Sequence, residues 1–278
     1  MNAALANMVL ILSLALAPGA LADHHEEGEK GQTAEHASSA ESEGFDHSHT
    51  KFTEVLKNFV IVSGPKSTVN YKALKKSPSQ LNDYLADLSS VPMTDYKTFN
   101  KKQQMAFLIN AYNSFTLKLI IDNYPVESIK DIGGLFSSPW KKEFFKLWGK
   151  DMYLDKIEHK ILRKKFNEPR IHFAVNCASI GCPALRGEAF TAERLDVQLE
   201  EQAKIFLRDS SRNFIKKDKK EIYLSKIFDW FEEDFEKGSS TVQKFVAPYM
   251  TDDAELQKEM VKFDVEHTDY DWKLNEEK

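Results

Sequence analysis

Cysteine is nearly missing from this chain. Cys177 and Cys182 are the only two among 278 residues, so any internal disulfide joins that pair. An excess of basic charge is missing too. The 38 Lys and Arg stand against 43 Asp and Glu, for a formal net charge of -5, and lysines alternate with acids along most of the chain. That leaves no broad basic surface and sets nucleic acid aside as a partner. Past the N-terminus no apolar run is long enough to span a bilayer. There is no internal repeat, and nothing between Lys51 and Lys278 reads as a linker. The apolar fraction of 42% is ordinary for a chain that buries a core, which excludes a fibrous or wholly disordered protein.

What is present begins with Met8 to Ala17, MVLILSLALA, the length of a signal-peptide core, followed by the small-x-small pattern Ala20-Leu21-Ala22. No Lys or Arg precedes the run. The expectation is a signal peptide over 1–22, an exported periplasmic or secreted protein, and no membrane insertion of the mature chain. Residues 23–50 hold almost no large apolar side chain and are rich in acids and histidines, so they are expected to form a disordered leader. His24, His25, His36, His47 and His49 have a composition that holds zinc or copper loosely, but their spacing sets up no defined coordination. No cofactor and no metal site are expected.

The globular part is expected over 51–278. Helical spacing relates Phe52, Val55, Leu56 and Phe59, and again Leu81, Tyr84, Leu85 and Leu88 after Ser77-Pro78. The strongest helix runs from Lys101 to about Asp122 and stops at Asn123-Tyr124-Pro125. Short strands are expected at 144–148 and 152–154, a helix over 155–166, and a strand over 170–176. Thr191 is expected to cap a helix to Leu207, two strands to flank 216–220, and Ser225 to cap an aromatic helix through Phe235. Helices interleaved with hairpins imply a single α+β domain around a small, mainly antiparallel sheet.

Three features depart from a plain core. The helix from Lys101 is apolar nearly all round, yet Gln103, Asn110, Asn113 and Ser114 form a polar stripe on it, facing either a site or neighbouring backbone. Glu158 projects from the middle of an apolar face made by Leu154, Ile157, Ile161 and Leu162, with His159 at its edge. In IHFAVNCASIGCP, residues 171–183, His172 and Asn176 fall on one face of the expected strand, and Cys177 follows it into a small-residue loop. Cys177 and Cys182 form a disulfide, or Cys177 is a reactive thiol, or the pair contributes to a metal site.

The runs FLINAYNSFTLKLI (107–120), LDKIEHKILR (154–163), IHFAVNCASIGCPALRGEAFTAERL (171–195), SKIFDWFEEDF (225–235) and YDWKLN (270–275) together resemble the DUF547 family. The resemblance supplies no substrate. It implies a likeness to cysteine-peptidase-like proteins with a Glu, His and Cys set, carried here by Glu158, His159 or His172, and Cys177. The order differs from papain-like enzymes, in which the nucleophile opens a helix and precedes the histidine, so the implied arrangement is a rearranged papain-like one.

The functional expectation is a thiol-dependent hydrolase or acyl-transferase acting on an amide, ester or peptide outside the cytoplasm. Cys177 is its nucleophile, His159 or His172 its base and Glu158 the orienting group. The N–H groups of residues 178–181 or the Asn113 amide bind an oxyanion. Asn110, Ser179 and Arg186 are the expected contacts to an unidentified peptide or small-molecule substrate. The competing expectation is a non-enzymatic binding module in which the polar cluster organises the core and a Cys177–Cys182 disulfide pins the loop. A third, metal-handling expectation rests on the leader histidines.

Overall fold

The computed structural model describes residues 44–134 and 137–277. The expected signal peptide, most of the leader, and His24, His25 and His36 lie outside the described residues. The described residues fold as an α+β domain with three separate small sheets.

Its centre is the helix Lys101–Asn123, buried on almost every side from Met105 to Ile121. A helix without a polar face must be enclosed, and this one is. Asn100 starts it with a capping box. The Asn100 side chain accepts the Gln103 N–H at 3.0 Å, and the Gln103 side chain accepts the Asn100 N–H at 2.9 Å. Gln103 therefore belongs to the cap and not to the buried stripe. The helices Thr50–Phe59, Tyr71–Lys76 and Ser79–Ser90 pack around this centre through the apolar faces that the periodicity marks.

The hairpin Phe145–Leu147 with Lys150–Met152 forms close to its expected place. It turns at Trp148-Gly149, both with positive φ, one residue earlier than Gly149-Lys150. A second hydrophobic cluster gathers Phe173, Phe206, Phe228, Phe235 and Phe245. It lies against a sheet in which Glu221–Ser225 pairs antiparallel with Phe214–Lys216 and parallel with Asp264–Thr268.

Several local expectations are corrected. Residues 45–49, expected in the leader, pack against the helices of the described domain. Phe45 packs on Phe99 and Phe107, and His49, 1% exposed, bonds through Nδ1 to the Tyr84 hydroxyl at 2.8 Å. His47 stacks edge-on against Phe99, so neither histidine is a free leader ligand. The segment expected as a strand over 170–176 is a 3₁₀ helix, Pro169–Phe173. Pro169 brings no N–H to a ladder, and the Glu168 carboxylate accepts the Arg170 N–H at 3.1 Å, which favours a helical turn. The segment expected as one α-helix over 155–166 is a π-helix, Lys156–Leu162, followed by one α-helical turn. The aromatic helix expected through Phe235 is broken into Ile227–Trp230 and Glu232–Ser239. The helix ending at Leu207 starts at Leu195 and not at Thr191. Among the described residues no helix is long and apolar enough to cross a membrane.

Candidate functional site

A cavity of about 220 Å³ opens where the two hydrophobic clusters meet. It is lined by Glu158, His159, His172, Cys177 and Cys182, which brings together the acid, both histidines and both cysteines singled out in the sequence. The wide turn of the π-helix carries Glu158 and His159; π-turns of this kind recur at functional sites.

Glu158 is 8% exposed and takes part in no ion pair among the described residues. The Tyr112 phenol lies beside it. Burial pushes that phenol well above its ordinary range, and the Glu158 charge adds to the effect. His159 is half-buried, with Nε2 3.4 Å from Asp155 Oδ1 and Nδ1 3.0 Å from the Arg163 guanidinium. Its two nitrogens are thus engaged on its own helical segment.

His172 is more deeply set. Its ring stacks on Phe231 at 4.0 Å between centroids, and Nε2 lies 2.8 Å from Asp234 Oδ2. Asp234 is also held by Arg163 and Lys237. Burial favours the protonated acid, but the hydrogen bonds from His172, Arg163 and Lys237 outweigh it and hold this carboxyl below the usual range. Burial pulls the His172 imidazole below its ordinary value despite Asp234. The neutral ring therefore donates Nε2–H to Asp234, and its Nδ1 is a buried lone pair with no hydrogen-bond partner.

Cys177 is not free: it is disulfide-bonded to Cys182. The hydrogen-bond partners of its sulfur are Tyr270 Oη at 3.2 Å and Ser179 Oγ at 3.7 Å, and no imidazole is among them. The expected thiol–imidazole pairing is not made in this state. Three of the four expected oxyanion N–H donors are spent as well. The N–H of Ala178 donates to Asn176 Oδ1, that of Ile180 to the Lys273 carbonyl and that of Gly181 to the Asp271 carbonyl, each at 2.8 Å.

The other expected residues do not reach the cavity. Asn113 donates to the Ala174 carbonyl at 2.9 Å and accepts the Asn176 N–H at 2.9 Å, so its amide splints the chain that leads into Cys177. Asn110 does the same for Phe190, at 2.7 and 3.0 Å. Ser179 is buried under the C-terminal segment, bridging to Leu274. Arg186 pairs with Glu188 and Glu201 in a different groove. Among the described residues no group of three or more His, Cys, Asp or Glu is arranged to hold a metal ion.

Sequence reasoning missed the walls. Tyr112, Trp140, Trp230, Phe231, Tyr270 and Trp272 surround the acid and the histidines. Trp230 stacks on Trp272 at 5.6 Å, and Tyr270 lies 4.5 Å from Trp272. Three of the four tryptophans in the chain are spent on one cavity, and that scarcity was the available signal. Asp234 was missed too. Its signal was an acid set beside Phe235 at the end of an aromatic run.

Residues 96–207 match the DUF547 family, described as a protein of unknown function. No curated protein and no solved structure matches the chain. The matched segment holds Tyr112, Glu158, His172 and both cysteines, while Trp230, Asp234, Tyr270 and Trp272 lie beyond it. Over residues 96–207, rather less than half of its length, this chain is similar to the DUF547 family.

Proposed function

We propose that this chain is an exported, periplasmic or secreted binding module whose cavity takes a small organic cation, such as an alkylammonium or quaternary ammonium group. One observation carries the reading: Glu158 is nearly buried among aromatic rings and has no cationic partner among the described residues. A buried carboxylate is costly unless paired, and no Lys or Arg lines the cavity. Aromatic faces attract cations by about 0.5–2 kcal/mol each, more when water is excluded. Trp272 already holds one such cation, with Lys130 Nζ 3.6 Å from its centroid, although Lys130 does not line the cavity. In this reading the disulfide and the Asn113 splint keep the cavity wall in place.

A titration followed by tryptophan fluorescence tests this, because three reporters line the cavity. Choline should change the emission saturably, its uncharged carbon isostere should bind at least tenfold more weakly, and Glu158→Gln should remove most of that difference. Equal binding of the isostere, or full affinity in Glu158→Gln, would overturn the reading.

One observation favours a second reading, a thiol-dependent hydrolase. His172 carries an unpartnered nitrogen and is oriented by Asp234, the arrangement a general base requires. Asp234 then takes the orienting role first expected of Glu158. Cys177 enters that chemistry only once its bridge to Cys182 is open.

A further inference from the structure

We propose that the Cys177–Cys182 bridge is an exchange-active disulfide that oxidises a dithiol entering the cavity, with Cys177 as the sulfur attacked and Cys182 as the leaving group. Both sulfurs line the cavity, but unequally. Cys177 is half-buried and reachable, whereas Cys182 is 4% exposed. Attack at an exposed sulfur expels the one behind it, and the rate depends on how well the departing thiolate is stabilised.

The donors are arranged for that departure. Cys182 Sγ accepts the backbone N–H of Cys177 at 3.0 Å, and the Tyr270 hydroxyl, 3.1 Å from Cys182 Sγ and 3.2 Å from Cys177 Sγ, is in place to donate to whichever sulfur carries the charge, which is Cys182 once Cys177 is attacked. Burial pushes the Tyr270 phenol up, so it remains a donor across the range in which thiols exchange. Arg212, itself paired with Asp209, grips the carbonyls of Cys182 and Ile180 and so pins the backbone of the same loop. Ile180 and Gly181 are also tied to the C-terminal segment by hydrogen bonds of 2.8 Å, so the loop keeps its place when the bridge opens.

The bonds balance. One thiolate of the dithiol attacks Cys177 Sγ, a mixed disulfide forms, and the Cys177–Cys182 bond breaks with its electron pair on Cys182. The second thiolate of the dithiol then attacks its own sulfur in the mixed disulfide and releases Cys177 as thiolate. The dithiol is oxidised to a disulfide, and its two protons end on Cys177 and Cys182. The activity does not depend on cation binding in the same cavity.

Dithiothreitol added to the native full chain, with thiols counted by maleimide mass-tagging and the fold followed by circular dichroism, should release both thiols while the chain stays folded. Glutathione, which cannot complete the second step alone, should leave an adduct that peptide mapping finds on Cys177. Tyr270→Phe, lacking one donor to the leaving thiolate, should be reduced roughly three- to tenfold more slowly. A bridge that opens only after the chain unfolds, an adduct on Cys182, or wild-type speed in Tyr270→Phe would each overturn the proposal. Should Tyr270→Phe fail to fold, adduct mapping on the wild-type chain decides by itself.

Discussion

At the scale of single residues, Asn110 and Asn113 show how a buried amide can organise a site that it does not enter. Each donates and accepts one bond with a loop backbone, Asn110 at Phe190 and Asn113 at Ala174 and Asn176. Truncating either leaves two buried backbone groups without partners. Asn110→Ala is expected to cost about 1–3 kcal/mol of unfolding free energy, read from the urea midpoint, while choline affinity per folded molecule stays unchanged. A stable Asn110→Ala chain with weakened choline binding would instead make Asn110 a ligand contact. Asp234 is the opposite case. A single acid gathers Arg163, Lys237 and His172, and in doing so it settles which imidazole nitrogen carries the proton.

Among the elements, the cavity depends on a loop and a strap that brace each other. The segment from Tyr270 to Glu277 bonds to Ile180 and Gly181, accepts at Trp272 from the Ser128 hydroxyl, and continues to Val69. Gly181 permits this contact. A Cβ placed there would meet the Tyr270 ring at 2.9 Å, and the ring is boxed in by Trp230 and Trp272. Gly181→Ala is therefore expected to destabilise the chain by about 1–3 kcal/mol through overpacking. It should also slow reduction of the bridge in the manner of Tyr270→Phe, because the hydroxyl is displaced from Cys182. Denaturant midpoints and dithiothreitol reduction rates check the two effects separately, and unchanged values in both would show that the ring is free to move.

For the whole molecule, acid is the condition that opposes the fold. Burial lowers the His49 imidazole to about 3, despite Asp46 nearby and with His47 adding to the effect, and Tyr84 occupies its Nδ1. His172 is lowered by burial in the same direction. A histidine held neutral in the fold protonates more readily in the unfolded chain. Stability from these groups is therefore complete above about pH 6.5 and declines as pH falls, by up to about 1.4 kcal/mol per pH unit for each group. For His49 the loss continues to about pH 3. Asp234, depressed below its ordinary 3.8, adds a further loss once pH drops through that value. Thermal melts between pH 8 and 4 should show Tm falling below about pH 6.5, with His49→Gln flattening the upper part of that slope. A Tm constant from pH 7 to 5 would contradict the burial of both rings.

Much of this was legible without coordinates. The α+β class, the enclosed central helix and the hairpin near Gly149 follow from periodicity and turn residues, and Glu158 stood out as a polar group in apolar company, whereas its grouping with His172 and Cys177 came from what the DUF547 resemblance implied. Periodicity and turn residues are local signals, carried within a turn or two of chain. Others were not local. The spending of Asn110 and Asn113 on distant backbone depends on groups 80 and 61 residues away along the chain. The aromatic walls are further still, since Trp230 and Trp272 reach Glu158 only because the chain returns across the cysteine loop. The sequence by itself determined which residues were too polar for their surroundings, because burial free energy is a property of the side chain. Only the tertiary structure decided what satisfied each of them, because a hydrogen-bond or disulfide partner is chosen by proximity in space, which residue spacing does not encode.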